Sequence, residues 1–108
     1  MSEHGATGIQ FVSTDDLAWR PSTIGAGILV KDVAVTDGWE MQIVRVEPGA
    51  RFAVHTHRGP EFLYVLEGEL AQAGRRLGRG WASVASAGTV DEDVHSETGC
   101  LFVLVDRA

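Results

Sequence analysis

The stretch "GARFAVHTHRGPEFLYVLEG", residues 49–68, carries two histidines one residue apart and a glutamate four positions after the second. Strand side chains alternate between faces, so Ala53, His55 and His57 share one face and Val54 and Thr56 the other. After the turn at "RGP", Glu61, Leu63 and Val65 share a face, opposed by Phe62, Tyr64 and Leu66. Both faces of this second strand are apolar, which predicts a strand covered on both sides, between two sheets or within a closed barrel. Glu61 then enters an apolar interior, where a carboxylate must be paired or bound to a metal. The two imidazoles, about 6.6 Å apart along their strand, supply a reason for it to be there. Two histidines and one carboxylate leave open positions on a first-row ion, as in non-haem iron sites, and zinc, manganese, nickel or copper accept the same donors.

Outward from this stretch the pattern stays β. Apolar segments of strand length follow one another: "GILVKDVAV" (27–35), "WEMQIVRV" (39–46), "ELAQAG" (69–74), "WASVA" (81–85) and "CLFVLVD" (100–106). Turn signals punctuate them, the pattern of an all-β sandwich or barrel. Asp37-Gly38 is a hairpin cue, and Pro48-Gly49 suits a type II turn. The best helical candidate, "STDDLAWR" (13–20), is short and stops at Pro21.

The 108 residues fit one domain with a real core, and 44% apolar content argues against wholesale disorder. Nine basic against fifteen acidic side chains give a net charge of −6, which excludes nucleic acid as an expected partner. The one basic cluster, "RRLGR" (75–79), reads as a solvated hairpin tip. No apolar run approaches the roughly 20 residues needed to span a membrane, and residues 1–10 lack the features of a signal peptide. The expectation is a flexible segment over 1–10, a single domain over 11–108, and a cytoplasmic protein without membrane partners. Cys100, the single cysteine, precedes "LFVLV" and reads as a buried strand thiol.

Residues 49–68 resemble, without a gap, the first conserved motif of the cupin superfamily: Gly49, His55, His57, Glu61 and Gly68 fall in place. The resemblance implies an all-β, single-domain cupin jelly-roll β-barrel (a double-stranded β-helix). In metal-binding cupins the motif's histidines and glutamate are ligands, here His55, His57 and Glu61. The second cupin motif is only partly met by "GWASVASAGTVDEDVHSETG" (80–99). Gly80 and Gly88 fit, but Ser86 stands for the usual proline, Asp91 for the histidine and His95 for the asparagine.

On a regular strand Asp91, Asp93 and His95 share a face, yet Asp91 and His95 would be about 13 Å apart. The run "DED" favours a loop or bulge there. His95 is taken as the fourth ligand because it restores the usual set, with Asp91 or a water as the alternatives. Across "LAWRPS" to "GCLFVLVD" the chain looks most like ChrR-type cupin domains. In ChrR proteins the sigma-binding part is a separate N-terminal helical domain, for which 108 residues leave no room, so no anti-sigma role is implied.

The resemblance implies a divalent transition metal (Fe, Zn, Mn or Ni) and a small-molecule ligand inside the barrel. Leu63, Val65 and Ala53, with Trp81 or Phe102, would form its apolar wall. Related small cupins include dioxygenases that cleave carbon–carbon bonds in diketones or hydroxy-ketones, which suggests a metal-dependent dioxygenase. The alternative is a non-catalytic, ChrR-like module that senses a metal or ligand; a third reading is a cupin that has lost its metal. Small cupins are commonly dimers, and a homodimer is expected, with the strand "GILVKDVAV" available as an edge.

Overall fold

β-Branched and aromatic residues recur through the long apolar segments, and these form the strands. The computed structural model describes residues 2–4 and 8–108. Among them the strands are β1 (Ser2–His4), β2 (Gln10–Val12), β3 (Arg20–Pro21), β4 (Ile28–Thr36), β5 (Trp39–Val46) and β6 (His55–Thr56). They continue as β7 (Glu61–Gln72), β8 (Arg75–Gly78), β9 (Ala82–Ala85), β10 (Val90–Asp91) and β11 (Cys100–Arg107). The helical candidate at 13–20 shrinks to one 3₁₀ turn over Thr14–Asp16, too short to bury a face. Among the described residues, β1 and β2 pair only with each other. The flexible segment expected over 1–10 falls partly on residues 1 and 5–7, which lie outside the described residues.

The main layer runs β3-β4-β5-β11-β7, all antiparallel, and β9 flanks the first half of β7. The β4–β5 hairpin closes through Asp37 and Gly38, at φ 52° and 79° between the paired Thr36 and Trp39. Two successive positive φ angles make this the type I′ turn that Asp-Gly favours. The expected turn at Pro48-Gly49 also forms, with the Ala50 N–H donating to Glu47 O at 3.0 Å. The basic run is displaced from its predicted place: residues 75–78 are strand β8 with Leu77 buried, and the tip itself is Ala73-Gly74.

A second layer covers the inner face of the first. It is built from residues 49–57 running antiparallel to residues 88–96. His57 N–H donates to Thr89 O, Phe52 N–H to Val94 O, and Ser96 N–H to Ala50 O; β6 and β10 are its regular part. The twelve-residue β7 serves both layers. Its first half pairs with β11, while its second half pairs with β8 and, at Ala71, bonds the backbone of His95. This is the two-layered jelly roll.

Inward-facing side chains of both layers form one core, including Val30, Val44, Phe52, Val65, Leu70, Val94 and Phe102. Cys100 is buried on β11, as expected. Of the two apolar faces of β7, only one is covered. Leu63 and Val65 are 5% and 0% exposed, whereas Phe62 and Tyr64 on the outer face remain 45% and 48% exposed.

Candidate metal centre

The turn at Arg58–Pro60 carries the chain from the second layer into the first, and so brings Glu61, the first residue of β7, against the histidines. β10 pairs with β6 so that Asp91 lies directly opposite His55. One donor atom from each of His55, His57, Glu61 and Asp91 lies within 4.8 Å of all the others. His57 Nε2 is 3.0 Å from Asp91 Oδ2 and 3.5 Å from Glu61 Oε1, and His55 Nε2 is 3.4 Å from Asp91 Oδ2. Ligand atoms bound about 2.1 Å from one ion sit about 3.0–3.4 Å from their neighbours, so these separations match a shared coordination sphere. The two rings stand edge to face, centroids 5.2 Å apart.

Neighbouring hydrogen bonds fix the proton on each ring. The Thr89 hydroxyl donates its single hydrogen to Ser86 O at 2.7 Å. It can therefore only accept from His57 Nδ1–H, 2.9 Å away. His55 Nδ1 lies 3.0 Å from Ala53 O, and a carbonyl oxygen only accepts, so this nitrogen also carries its hydrogen. Both Nε2 atoms then point at carboxylate oxygens, an arrangement that calls for a metal ion or a proton between them. The donor set thus fits a metal ion, and the Nδ1–H bonds are the outer-shell contacts that orient metal-ligating imidazoles. Gln72 Nε2 donates to Asp91 Oδ1 at 3.3 Å, and Ser83 Oγ donates to Gln72 Oε1 at 2.7 Å, holding that carboxylate in place.

His95 is not brought to this cluster. After Asp91 the chain turns at Asp93, whose φ of 58° breaks the strand parity and whose carboxylate pairs with Arg51. Val94 then takes the core position, and His95 bonds Ala71 through its backbone and Asp93 O through Nδ1. The expectation of a loop or bulge over "DED" is met, but it carries His95 away from the centre and leaves Asp91 in it.

Burial pushes the Glu61 carboxyl above its usual value, and the charge on Asp91 adds to this while the histidines oppose it. A carboxyl whose folded value is raised stabilises the fold fully below its unfolded value, near 4.5. That contribution is lost as pH rises through the raised one. Chelator-treated Glu61→Gln is therefore expected to gain stability relative to chelator-treated wild type as pH climbs above this value. Thermal melts from pH 4 to 8 check it; a constant difference between the two proteins across that range would refute it. A bound cation removes the penalty by favouring the ionised form.

The four donors lie on the wall of a cavity of about 530 Å³, within the usual range for small-molecule sites. Leu63, Phe102, Leu104 and Phe52 supply its apolar side, and Gln42, Asp106, Arg58 and Arg107 its polar side. Of the expected wall residues, Leu63 and Phe102 line it. Val65 is sealed in the core, Ala53 is turned outward and Trp81 is 52% exposed.

Asp106, opposite Glu40 in the β11–β5 ladder, was not anticipated from the sequence. Its Oδ1 is buried with no hydrogen-bond partner among the described residues. Burial pushes both carboxyls above their usual range. Gln72, Thr89 and Asp106 come from segments remote in sequence, and no spacing marks them.

The profile of the ChrR cupin-like domain matches residues 7–108. The chain belongs to the ChrR cupin-like family. No curated protein sequence matches this ChrR cupin-like chain. Among solved structures it is similar to an acetylacetone dioxygenase from Acinetobacter johnsonii, at 17% identity and a TM-score of 0.79, covering 97% of this chain and 76% of that one. It is also similar to KdgF from Halomonas sp., at 28% identity and TM-score 0.75, covering 91% and 93%. The anti-sigma ChrR of Rhodobacter sphaeroides, solved in complex with SigE, aligns at 22% identity and TM-score 0.73, covering 86% of this chain and 50% of that one. These likenesses establish the cupin fold. No helix among the described residues is long and apolar enough to cross a membrane.

Proposed function

We propose that His55, His57, Glu61 and Asp91 hold a divalent first-row metal ion, and that the protein is a non-haem metal-dependent dioxygenase acting on a small oxygen chelator. The observation that carries this reading is the convergence of two imidazole lone pairs and two carboxylates on the wall of a 530 Å³ cavity. Iron suits the oxygenase; zinc, manganese and nickel fit the same donors. Bound there, the ion supplies Lewis-acid and redox chemistry at the positions the protein leaves open.

The chain's own residues do the rest. Thr89 and Ala53 O hold a hydrogen on Nδ1 of each histidine and so turn Nε2 toward the carboxylates, and Gln72 orients Asp91. Leu63, Phe102 and Leu104 exclude water from the bound ligand. Asp106, on the cavity wall, presents its carboxyl to the bound ligand. Arg58 and Arg107 at the rim favour ligands with anionic oxygens. The likeness to an acetylacetone dioxygenase supports the substrate class.

Iron(II)-loaded protein in an oxygen electrode, given small 1,3-diketones and hydroxy-ketones, tests the reading. Saturable oxygen uptake with at least one of them, absent from Asp91→Ala, is the expected result. Full metal loading without uptake across the panel would favour the second reading, a ChrR-like module that senses a metal or ligand without turnover. Two features speak for that alternative: the family profile itself, and four protein donors, enough to close a tetrahedral zinc sphere with no open position. In either case the working unit is a homodimer, because a broad apolar sheet face is left open on the single chain.

A further inference from the structure

Three rows of outward side chains on β5, β11 and β7 form a face, bounded at one end by a further row in which Arg107 lies over Trp39. Met41, Val105 and Phe62 are in register, as are Ile43, Val103 and Tyr64. The third row is Arg45, Leu101 and Glu67. Ala34 and Val84 extend the first row onto β4 and β9. The first row spans five strands at about 4.8 Å spacing and the other two span three, a footprint about 24 Å wide narrowing to about 14 Å over about 17 Å of strand, on the order of 300 Å². Patches of this size are often functional on a single chain. Met41, Phe62, Tyr64 and Val84 are 44%, 45%, 48% and 66% exposed.

The charges on the third row say what covers the face. Arg45 and Glu67 flank Leu101 at one level of the sheet, are both exposed, and have no ion-pair partner among the described residues. A twofold axis lying in the face along β11 turns β5 of one copy over β7 of the other while keeping each level. Arg45 then meets the other copy's Glu67, and Glu67 its Arg45. Ile43 meets Tyr64, Met41 meets Phe62, and Val103 and Val105 meet their own copies. An axis across the strands would instead set Arg45 over Met41 and Glu67 over Phe62, leaving the charges facing apolar side chains.

We propose that this outer face is the contact between two copies of the chain, related by a twofold axis running close to β11. The usual crossing of about 30° between packed sheets tilts the axis from the strand by about half that angle. Such an isologous contact is self-complementary, as closed dimers require. The inference rests on the homodimer reading and names its surface.

Sedimentation equilibrium of the full chain at micromolar concentration is the test, run on wild type, Arg45→Glu, Glu67→Arg, the double reversal, and Val103→Lys. Wild type is expected at twice the chain mass. Each single reversal is expected to weaken association at least about tenfold, and the double reversal to recover most of it. Val103→Lys, with an unchanged circular dichroism spectrum, is expected to be monomeric. A dimer indifferent to all four variants would overturn this face as the contact and leave the homodimer standing. A wild-type monomer would overturn both and hand the face to a different partner.

Discussion

His57→Ala is expected to abolish stoichiometric metal binding. His57 is 5% exposed, its Nε2 lies within 3.5 Å of both Glu61 and Asp91, and its Nδ1 is anchored on Thr89. It is the ring that touches both carboxylates, so removing it deletes a donor and leaves two half-buried acids without the group between them. Loss of an outer-shell partner costs about 10–100-fold in metal affinity, which is the range expected for Thr89→Val. His57→Ala should exceed it clearly. Metal titration followed by isothermal calorimetry separates the two variants, and equal losses would mean that His57 is not a ligand.

Gly68→Ala is expected to be the most damaging single methyl group in the chain. Gly68 sits at φ 75°, where a side chain is strained. A Cβ there would overlap Gly99 O and come within 2.8 Å of Cys100 Cα on the adjoining strand. Both obstacles are backbone, so no rotamer change relieves them. Strain and overlap together should cost more than about 3 kcal/mol, a fall in melting temperature of about 12 °C or more for a domain this size. Gly49→Ala is the control. That residue has a similar φ of 84° but nothing within 4 Å of its Cβ, so it pays only the conformational part. Equal melting temperatures for the two variants would refute the packing argument.

Gly68 was legible only through the resemblance of the whole first motif, since the constraint on it is a contact with Gly99 and Cys100, distant in sequence. His55, His57 and Glu61 were legible locally. All three lie within seven residues of one strand–turn–strand unit, so alternation and one tight turn suffice to bring them together. The β4–β5 hairpin was readable for the same reason, from Asp37-Gly38.

The fourth member was not readable in this way, because it depends on pairing between residues 49–57 and 88–96. Parity treated Asp91 and His95 as equivalents on one strand. The left-handed turn at Asp93 removes that equivalence, and its pairing with Arg51 is a contact between distant segments. The cavity wall failed on similar grounds. Val65 has the right parity but lies deeper in the core than the cavity, while Asp106 reaches the cavity only because β11 pairs with β5. Apolar residues on both faces of β7 were read as burial within one chain, where the fold leaves Phe62 and Tyr64 on the outer face half exposed.

The account rests most heavily on Asp91 completing the centre, and one measurement addresses it directly: the metal content of purified wild type, Asp91→Ala and His95→Ala after identical reconstitution, by elemental mass spectrometry. The prediction is near-stoichiometric metal in wild type and in His95→Ala, with most of it lost from Asp91→Ala. Metal retained by Asp91→Ala and lost from His95→Ala would contradict the centre described here, and wild type that stays free of metal would remove it altogether.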